Sequence, residues 1–355
     1  MTTDAARMDV LRPQVERSLG EFVERRLPAG GDAAFAPLRA AADALLSGGK
    51  RLRPAFCYWG WRGAGGTDVP EIFTAAASLE LLQASALVHD DVMDKSDLRR
   101  GMPAAHRRFE SMHEQSRWQG SAQQFGEGAA ILLGNLLLIW SGEMWRTSGL
   151  PPASLEAAQP VHDHMRTELM CGQYLDLLEQ ANGENTFESA LRVALYKSGK
   201  YSVEQPLRLG LVLAGEKRAP WMDDLCTGYG TRVGIAFQLR DDILGVFGDP
   251  AQTGKPAGDD LREGKRTMLV ARTLAAASPG DAQTVRRLLG DPDLDESGVA
   301  TLREIIAGTG ALRECEDLIG DYLGEALSAL DKSPVTAEAR SALTELAIAA
   351  TSRKT

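Results

Sequence analysis

Four carboxylates, Asp90, Asp91, Asp94 and Asp97, crowd into eight residues of the stretch "HDDVMDKSDLRRG" (89–101), and Arg99 and Arg100 follow at once. At 100° per residue Asp90 and Asp94 share one helical stripe with Asp91 beside it, and Asp97 would extend the stripe if the helix continued. Like charges so spaced repel, so the group wants a hard cation with oxygen ligands. Mg²⁺, which keeps waters and takes a few carboxylates plus substrate phosphates, suits it better than a calcium cage. A second stretch, "FQLRDDILGVFGD" (237–249), repeats the pattern, with Asp241 and Asp242 closing an apolar run and Asp249 beyond them. The helix dipole disfavours carboxylates at C-terminal ends, so two such placements call for compensating cations. A single DDxxD reads equally well as a solvated helix end. Two of them on two helices suit metal ions gripped from opposite sides with a diphosphate between.

The cations are present. "GGKRLRP" (48–54) offers Gly48 and Gly49 for close backbone approach, followed by Lys50, Arg51 and Arg53. Glycine followed by cationic side chains suits phosphate binding. Lys197, Lys255 in "TGKP" and Lys265 in "EGKRT" complete the set. Each alone reads as surface charge; their association with both acidic clusters gives them meaning.

The elements that must position these residues are helical. Ala, Leu, Glu and Arg fill most segments at helical spacing, with breaks at Gly and Pro clusters. The periodicity predicts helices over 4–27, 33–47, 51–63, 70–94, 127–147, 153–180, 186–214, 221–247, 263–277, 281–290, 297–307, 310–331 and 336–352, with a Gln/Gly-rich loop over 117–126. No stretch reads as a linker and no repeat has a fixed period, so residues 1–355 read as one all-α domain. The net charge of −10 argues against a nucleic-acid partner, without arguing against a local phosphate site. Cys57, Cys171, Cys226 and Cys315 form no CxxC pair and read as buried small hydrophobes in a reducing cytosol. The charged N-terminus lacks the apolar core of a secretion signal, and the apolar run 129–140 is too short to span a bilayer. The reading is a soluble cytoplasmic protein with no integral membrane segment.

Taken together, "GGKRLRP", "HDDVMDKSDLRRG", "GQYLD" (172–176) and "FQLRDDILGVFGDPAQTGKPAGDDLREGKRT" (237–267) resemble the trans-isoprenyl diphosphate synthases, the polyprenyl synthetase family, with bacterial geranylgeranyl diphosphate synthases as the nearest flavour. The resemblance implies an isoprenoid-synthase helical bundle around a central cavity. It implies Mg²⁺-dependent head-to-tail condensation of isopentenyl diphosphate with an allylic diphosphate, with three metal ions per site and a homodimer. Carried over position by position, it assigns Lys50, Arg53, Gln83 and Arg100 to isopentenyl diphosphate. It assigns Arg99, Lys197, Gln238 and Lys255 to the allylic diphosphate, with Lys265 helping. Asp90 and Asp94 would bind metal from one side and Asp241 from the other, with Asp91 and Asp242 in support. By the same resemblance Lys197, Ser198 and Gln238 would form the catalytic set, Ser198 standing where the family usually has Thr. Gln173 and Asp176 would help shape the site. One departure stands out: where a full second motif carries a third Asp, this sequence has Gly245.

Product length is then a matter of depth above Asp90, at about 5.4 Å per helical turn. Ser85 and Ala86 are small where an aromatic would stop growth after fifteen carbons, and Leu82 is the next obstruction. Geranylgeranyl diphosphate (C20) is the expected product, with farnesyl or longer-chain (C25 and above) synthesis as the enzymatic alternatives. A class I terpene cyclase also pairs two metal motifs, but has no need of "GGKRLRP" or the arginine pair. A regulatory subunit would be expected to lose an acidic motif. His89, the histidine in the motifs, reads as a packing or supporting residue more readily than a direct participant.

Overall fold

The computed structural model describes residues 5–183, 186–215, 219–249, 258–291 and 293–352, with side chains from Leu11 onward. Helices dominate, as the periodicity predicts. The first half contains α1 (Ala5–Arg26), α2 (Ala36–Leu46), α3 (Leu52–Gly63), α4 (Pro70–Met93), a two-stranded antiparallel hairpin of β1 (Leu98–Arg99) and β2 (Met102–Pro103), α5 (Ala105–Gln115), α6 (Ala122–Arg146) and α7 (Pro152–Asn182). There follow α8 (Phe187–Val193), a π-helical stretch over Ala194–Glu204, α9 (Gln205–Leu213), α10 (Pro220–Leu225), a second π-helical stretch over Cys226–Thr231 and α11 (Arg232–Phe247). The short α12 (Asp259–Arg262) precedes α13 (Met268–Ala276), α14 (Pro279–Leu288), α15 (Glu296–Gly308), α16 (Ala311–Lys332) and α17 (Ala337–Thr351).

Backbone contacts group the chain into two compact units, residues 1–158 with 210–216, and residues 159–209 with 217–355. The first is built around α4. Pro70 opens that helix at a position where its missing N–H costs nothing, and its side chains are buried almost all round, from Ile72 to Val88. α6 lies along α4 and α5, and small residues on its inner face permit the approach. A Cβ at Gly126 would meet the His106 carbonyl oxygen at 2.4 Å, and one at Gly134 would meet the His89 ring at 2.3 Å. Further along, the Ser141 hydroxyl donates to the Ser78 carbonyl at 2.8 Å. In the second unit α11 is the central helix. Its Ile235, Leu239, Ile243 and Val246 share a core with Met268, Leu269, Leu302, Ile306, Cys315 and Ile319.

Four expectations need correction. The helix Ala105–Gln115 and the hairpin before it were not predicted, because the buried face of that helix is carried largely by His106, Phe109 and His113 rather than by an apolar period. α6 starts at Ala122, inside the predicted loop, with the Ser121 hydroxyl accepting from the Gln124 N–H at 3.2 Å as an N-cap. The apolar run 129–140 therefore belongs to a helix of 25 residues. That helix and α4 are each long and apolar enough to cross a membrane by length and composition. α4 is a core helix, whereas α6 leaves Phe125, Ile131, Leu132 and Ile139 exposed. Of the four cysteines, all free, Cys171 is exposed rather than buried.

Candidate active site

In the first unit the acidic motif sits at the end of α4, which stops at Met93. Asp97 is therefore off the helix and receives Arg107 Nε at 2.8 Å instead of extending the carboxylate stripe. Asp91 is fully buried and accepts from Arg99 Nε at 2.8 Å; the same guanidinium lies 3.6 Å from the Asp90 carboxylate. Both carboxylate oxygens of Asp94 are shielded from solvent. The hairpin brings Arg99 to the helix end, and its tip needs left-handed backbone at Arg100 (φ 54°) and Gly101 (φ 73°). A non-glycine residue in that region is uncommon and costs energy, which is why such outliers cluster at functional sites.

That turn sends Arg100 the other way, onto the glycine loop. Arg100 Nη1 donates to the Ser47 carbonyl at 3.0 Å, and the space over Gly49 (φ 89°) is taken by the Arg100 guanidinium, 3.4 Å from where a Cβ would stand. Desolvation there, together with the charges of Arg51, Arg99 and Arg53, pushes the Arg100 pKa down, with Glu80 opposing. A guanidinium cannot discharge at physiological pH, so repelling cations held together make a ready anion site. Lys50 is exposed and Arg53 half-buried. Between them Arg51 turns inward: its left-handed backbone (φ 52°) carries the side chain into the core, where Nη1 meets Glu80 Oε2 at 2.6 Å and Nη2 donates to the Leu46 carbonyl. This buried pair escapes sequence reasoning, which sees three like cations in a row; the one legible signal was Glu80 inside an apolar helix.

The chain-length candidates divide by burial. Leu82 and Ser85 expose no surface, and the Ser85 hydroxyl finds no hydrogen-bond partner among the described residues. Gln83, Ala86 and Asp90 are half-exposed along one stripe of α4. His89 packs on Gly134, with Nε2 3.2 Å from the Ile131 carbonyl, so its ring is turned to α6.

In the second unit the remaining site residues gather on α7, the first π-helical stretch and α11. Lys197 Nζ donates to Asp176 Oδ2 at 2.6 Å. The glycine of "GQYLD" explains their closeness: a Cβ at Gly172 would meet the Lys197 backbone nitrogen at 2.3 Å. Lys197 and Ser198 lie in π-helical backbone, a geometry frequent at functional sites. Next to them Gly199 and Gly234 touch backbone to backbone, a Cβ at Gly234 meeting Gly199 Cα at 2.7 Å, which seats this stretch on α11. One turn on from Gly234, Gln238 donates through its amide nitrogen to Asp242 Oδ1 at 2.7 Å. Burial pushes the Asp242 pKa up to about 8; Gln238 and the Met268 N–H oppose the rise, and Asp260 and Asp241 add to it. Lys265 Nζ sits 2.6 Å from Glu263 and 3.5 Å from Asp260. Asp249 is exposed just past the helix, and Lys255 lies outside the described residues.

Among the described residues no three acidic, His or Cys side chains already stand in ligating geometry. The donor set nonetheless fits Mg²⁺: hard carboxylate oxygens, several removed from solvent, beside cations able to hold the phosphates that complete its coordination.

Comparison with known proteins agrees with this chemistry. The polyprenyl synthetase profile matches residues 36–306. A crystal structure of geranylgeranyl pyrophosphate synthase from Corynebacterium glutamicum, complexed with isoprenyl diphosphate and magnesium, is 38% identical with a TM-score of 0.93, covering 98% of this chain and 99% of that one. A geranylfarnesyl diphosphate synthase from Aeropyrum pernix is 31% identical, covering 86% of this chain and 90% of its own length. A heptaprenyl diphosphate synthase component 2 from Geobacillus stearothermophilus is 32% identical, covering 92% of this chain and 93% of its own length.

Proposed function

The chain belongs to the polyprenyl synthetase family and is a prenyltransferase, and from that premise we propose that it condenses isopentenyl diphosphate with allylic diphosphates to give geranylgeranyl diphosphate. The observation that carries the reading is the pairing of two substrate-sized charge patterns: acidic clusters on α4 and α11 for metal-bound diphosphate, and the Arg100–Gly49 anion corner for the second diphosphate. A class I cyclase needs only the first.

Asp90, Asp94 and Asp241 would hold Mg²⁺, three ions in all, with Asp91 and Asp242 supporting; bound there, the metal supplies charge to the departing diphosphate. Lys197, Arg99, Lys255 and Lys265 bind the same allylic diphosphate and stabilise its growing charge as the C–O bond breaks. Lys50, Arg53, Gln83 and Arg100 hold isopentenyl diphosphate so that its double bond meets the allylic cation. Gln238 donates through its nitrogen to Asp242, which leaves its amide oxygen, with the Ser198 hydroxyl, to face the electron-poor carbon. The proton lost from the isopentenyl carbon goes to the released diphosphate.

Twenty carbons is our reading of the small residues Ser85 and Ala86, with Leu82 closing the pocket. The burial pattern favours Ala86 as the lining residue. We read the chain as one catalytic domain acting as a cytoplasmic homodimer. The exposed apolar face of α6 (Phe125, Leu132 and Ile139, at heptad spacing) supports a second copy as its cover. The deciding experiment is product analysis with labelled isopentenyl diphosphate, Mg²⁺ and each of the C5, C10 and C15 allylic primers. Label should appear in C20 product; absence of incorporation with every primer would overturn the reading.

A further inference from the structure

Lys200 is a second lysine in the π-helical stretch that carries Lys197, and it has no part in the substrate assignments. Its partner is equally unassigned. Lys200 Nζ donates to Glu168 Oε1 at 2.6 Å, the same length as the bond from Lys197 Nζ to Asp176 Oδ2. On α7, Glu168, Gly172 and Asp176 stand at i, i+4 and i+8 and share one stripe. Two lysine–carboxylate pairs therefore flank the point at which Gly172 lets the two backbones close. We propose that Lys200 and Glu168 are positioning residues: their pair fixes the π-helical register that brings Lys197 to Asp176 and the allylic diphosphate, an inference that rests on the prenyltransferase reading.

Such a stretch needs support from outside itself. Backbone bonded from i to i+5 is rare and occurs mostly as single turns inside α-helices, whereas this stretch runs for 11 residues. The direction of Lys197 depends on where the departure from α-helix begins and ends. Glu168 marks the far end. Its Oε1 receives Lys200, and its Oε2 accepts from Gln205 Nε2 at 2.8 Å. Gln205, the first residue of α9, closes the last π turn by donating its N–H to the Lys200 carbonyl. One carboxylate on α7 thus holds both residues that this turn joins. His164 Nε2 lies 3.3 Å from Oε1, but that residue belongs to α7 itself and ties no second element to it. Lys200 Nζ also stands 4.8 Å from the centre of the Tyr196 ring, next to Lys197. The Glu168 side chain is 7% exposed and that of Lys200 24%, so water competes little for the pair. Burial works against the charge of Lys200, yet its bond to Glu168 and the negative charge there leave its pKa raised. Exposed pairs are worth little, whereas removing one member of a buried pair strands the other.

Variants of the full chain test this, by steady-state kinetics with labelled isopentenyl diphosphate and by hydrogen exchange read by mass spectrometry. Lys200→Met should lower kcat by about tenfold or more, since misplacing a group that meets substrate by about 1 Å can cost about 100-fold. The KM for isopentenyl diphosphate, set by residues of the first unit, should stay at its wild-type value. Peptides covering residues 194–205 should exchange faster, while those of α4 keep wild-type protection. Lys200→Arg, which keeps the charge and the reach, should retain most of the activity. K200M/E168M removes both charges and should recover the melting temperature but not kcat, because two apolar side chains pack without fixing a register. Wild-type kcat in Lys200→Met would overturn the proposal. So would a double variant that regains kcat together with its melting temperature, since the pair would then serve stability alone. If the wild-type protein itself incorporates no label, the prenyltransferase reading fails; an active wild type with unaltered variants sinks the positioning role and leaves that reading intact.

Discussion

Arg51 and Glu80 make the most exacting prediction. Their side chains are 2% and 7% exposed, and they meet at 2.6 Å. Arg51→Met leaves the Glu80 carboxylate buried without its partner, which costs about 3–5 kcal/mol. With an unfolding entropy of about 2.1 cal/mol/K per residue over 355 residues, each kcal/mol moves Tm by about 1.3 °C, so the single variant should melt about 4–7 °C lower. The double variant R51M/E80M removes both charges and both desolvation penalties, so its stability should return to within about 1 kcal/mol of wild type, about 1.3 °C in Tm, or exceed it. Stability restored does not mean function restored. Arg51 ties the loop carrying Lys50 and Arg53 to α4 and to the Leu46 carbonyl, so the double variant should show a KM for isopentenyl diphosphate raised about tenfold, or about 1.4 kcal/mol. The allylic KM, which depends on other residues, should stay put. Calorimetry and steady-state kinetics on the two variants check both halves. A double variant as unstable as the single one, or an unchanged isopentenyl KM, refutes the reasoning.

Asp242 predicts a pH dependence of the metal-free protein. Its pKa of about 8 in the fold exceeds the unfolded value of 3.8, so the native state holds the extra proton between them. Stability should then fall as pH rises from about 4 to 8, with a slope of at most about 1.4 kcal/mol per pH unit. Melts in a chelator should show Asp242→Asn flattening that slope; equal slopes would contradict it. Gly134→Ala places a methyl 2.3 Å from His89 Nε2, an overpacking worth about 1–3 kcal/mol. It should also raise the Mg²⁺ concentration needed for activity by shifting the helix end that carries Asp90, and H89A/G134A should recover the lost Tm. Ala86→Phe, on the half-exposed stripe leading to Asp90, should shift the product to fifteen carbons with little loss of stability. Ser85→Phe, at a site without exposed surface, should cost about 1–3 kcal/mol by overpacking; chromatography of dephosphorylated products, with melts, separates the two.

Much of the site is legible in one dimension because it is built along single helices. Asp90–Asp94 and Asp241–Asp242 are local: their spacing and the apolar runs before them set the stripe on which they sit, whatever packs around them. The same holds for the apolar periods of α4, α7 and α11. Less was legible where a residue's meaning depends on a neighbour far along the chain. α5 was missed because histidines 106 and 113 serve as its buried face, a choice that only the groove they fill makes favourable.

Sequence by itself therefore determined the chemistry on offer: two carboxylate clusters, a glycine-cation loop, and the helices that carry the carboxylates. Tertiary structure decided which charges are spent on the fold and which are left for substrate. Arg51 is turned inward by left-handed backbone while Lys50 remains exposed. Lys197 reaches Asp176 because Gly172 lacks a side chain. The space over Gly245 is taken by the Asp260 carboxylate, fifteen residues further on. The physical reason is that helix periodicity is written in neighbouring residues, whereas the direction of a side chain and the space beside a glycine are fixed only when distant backbones close on one another.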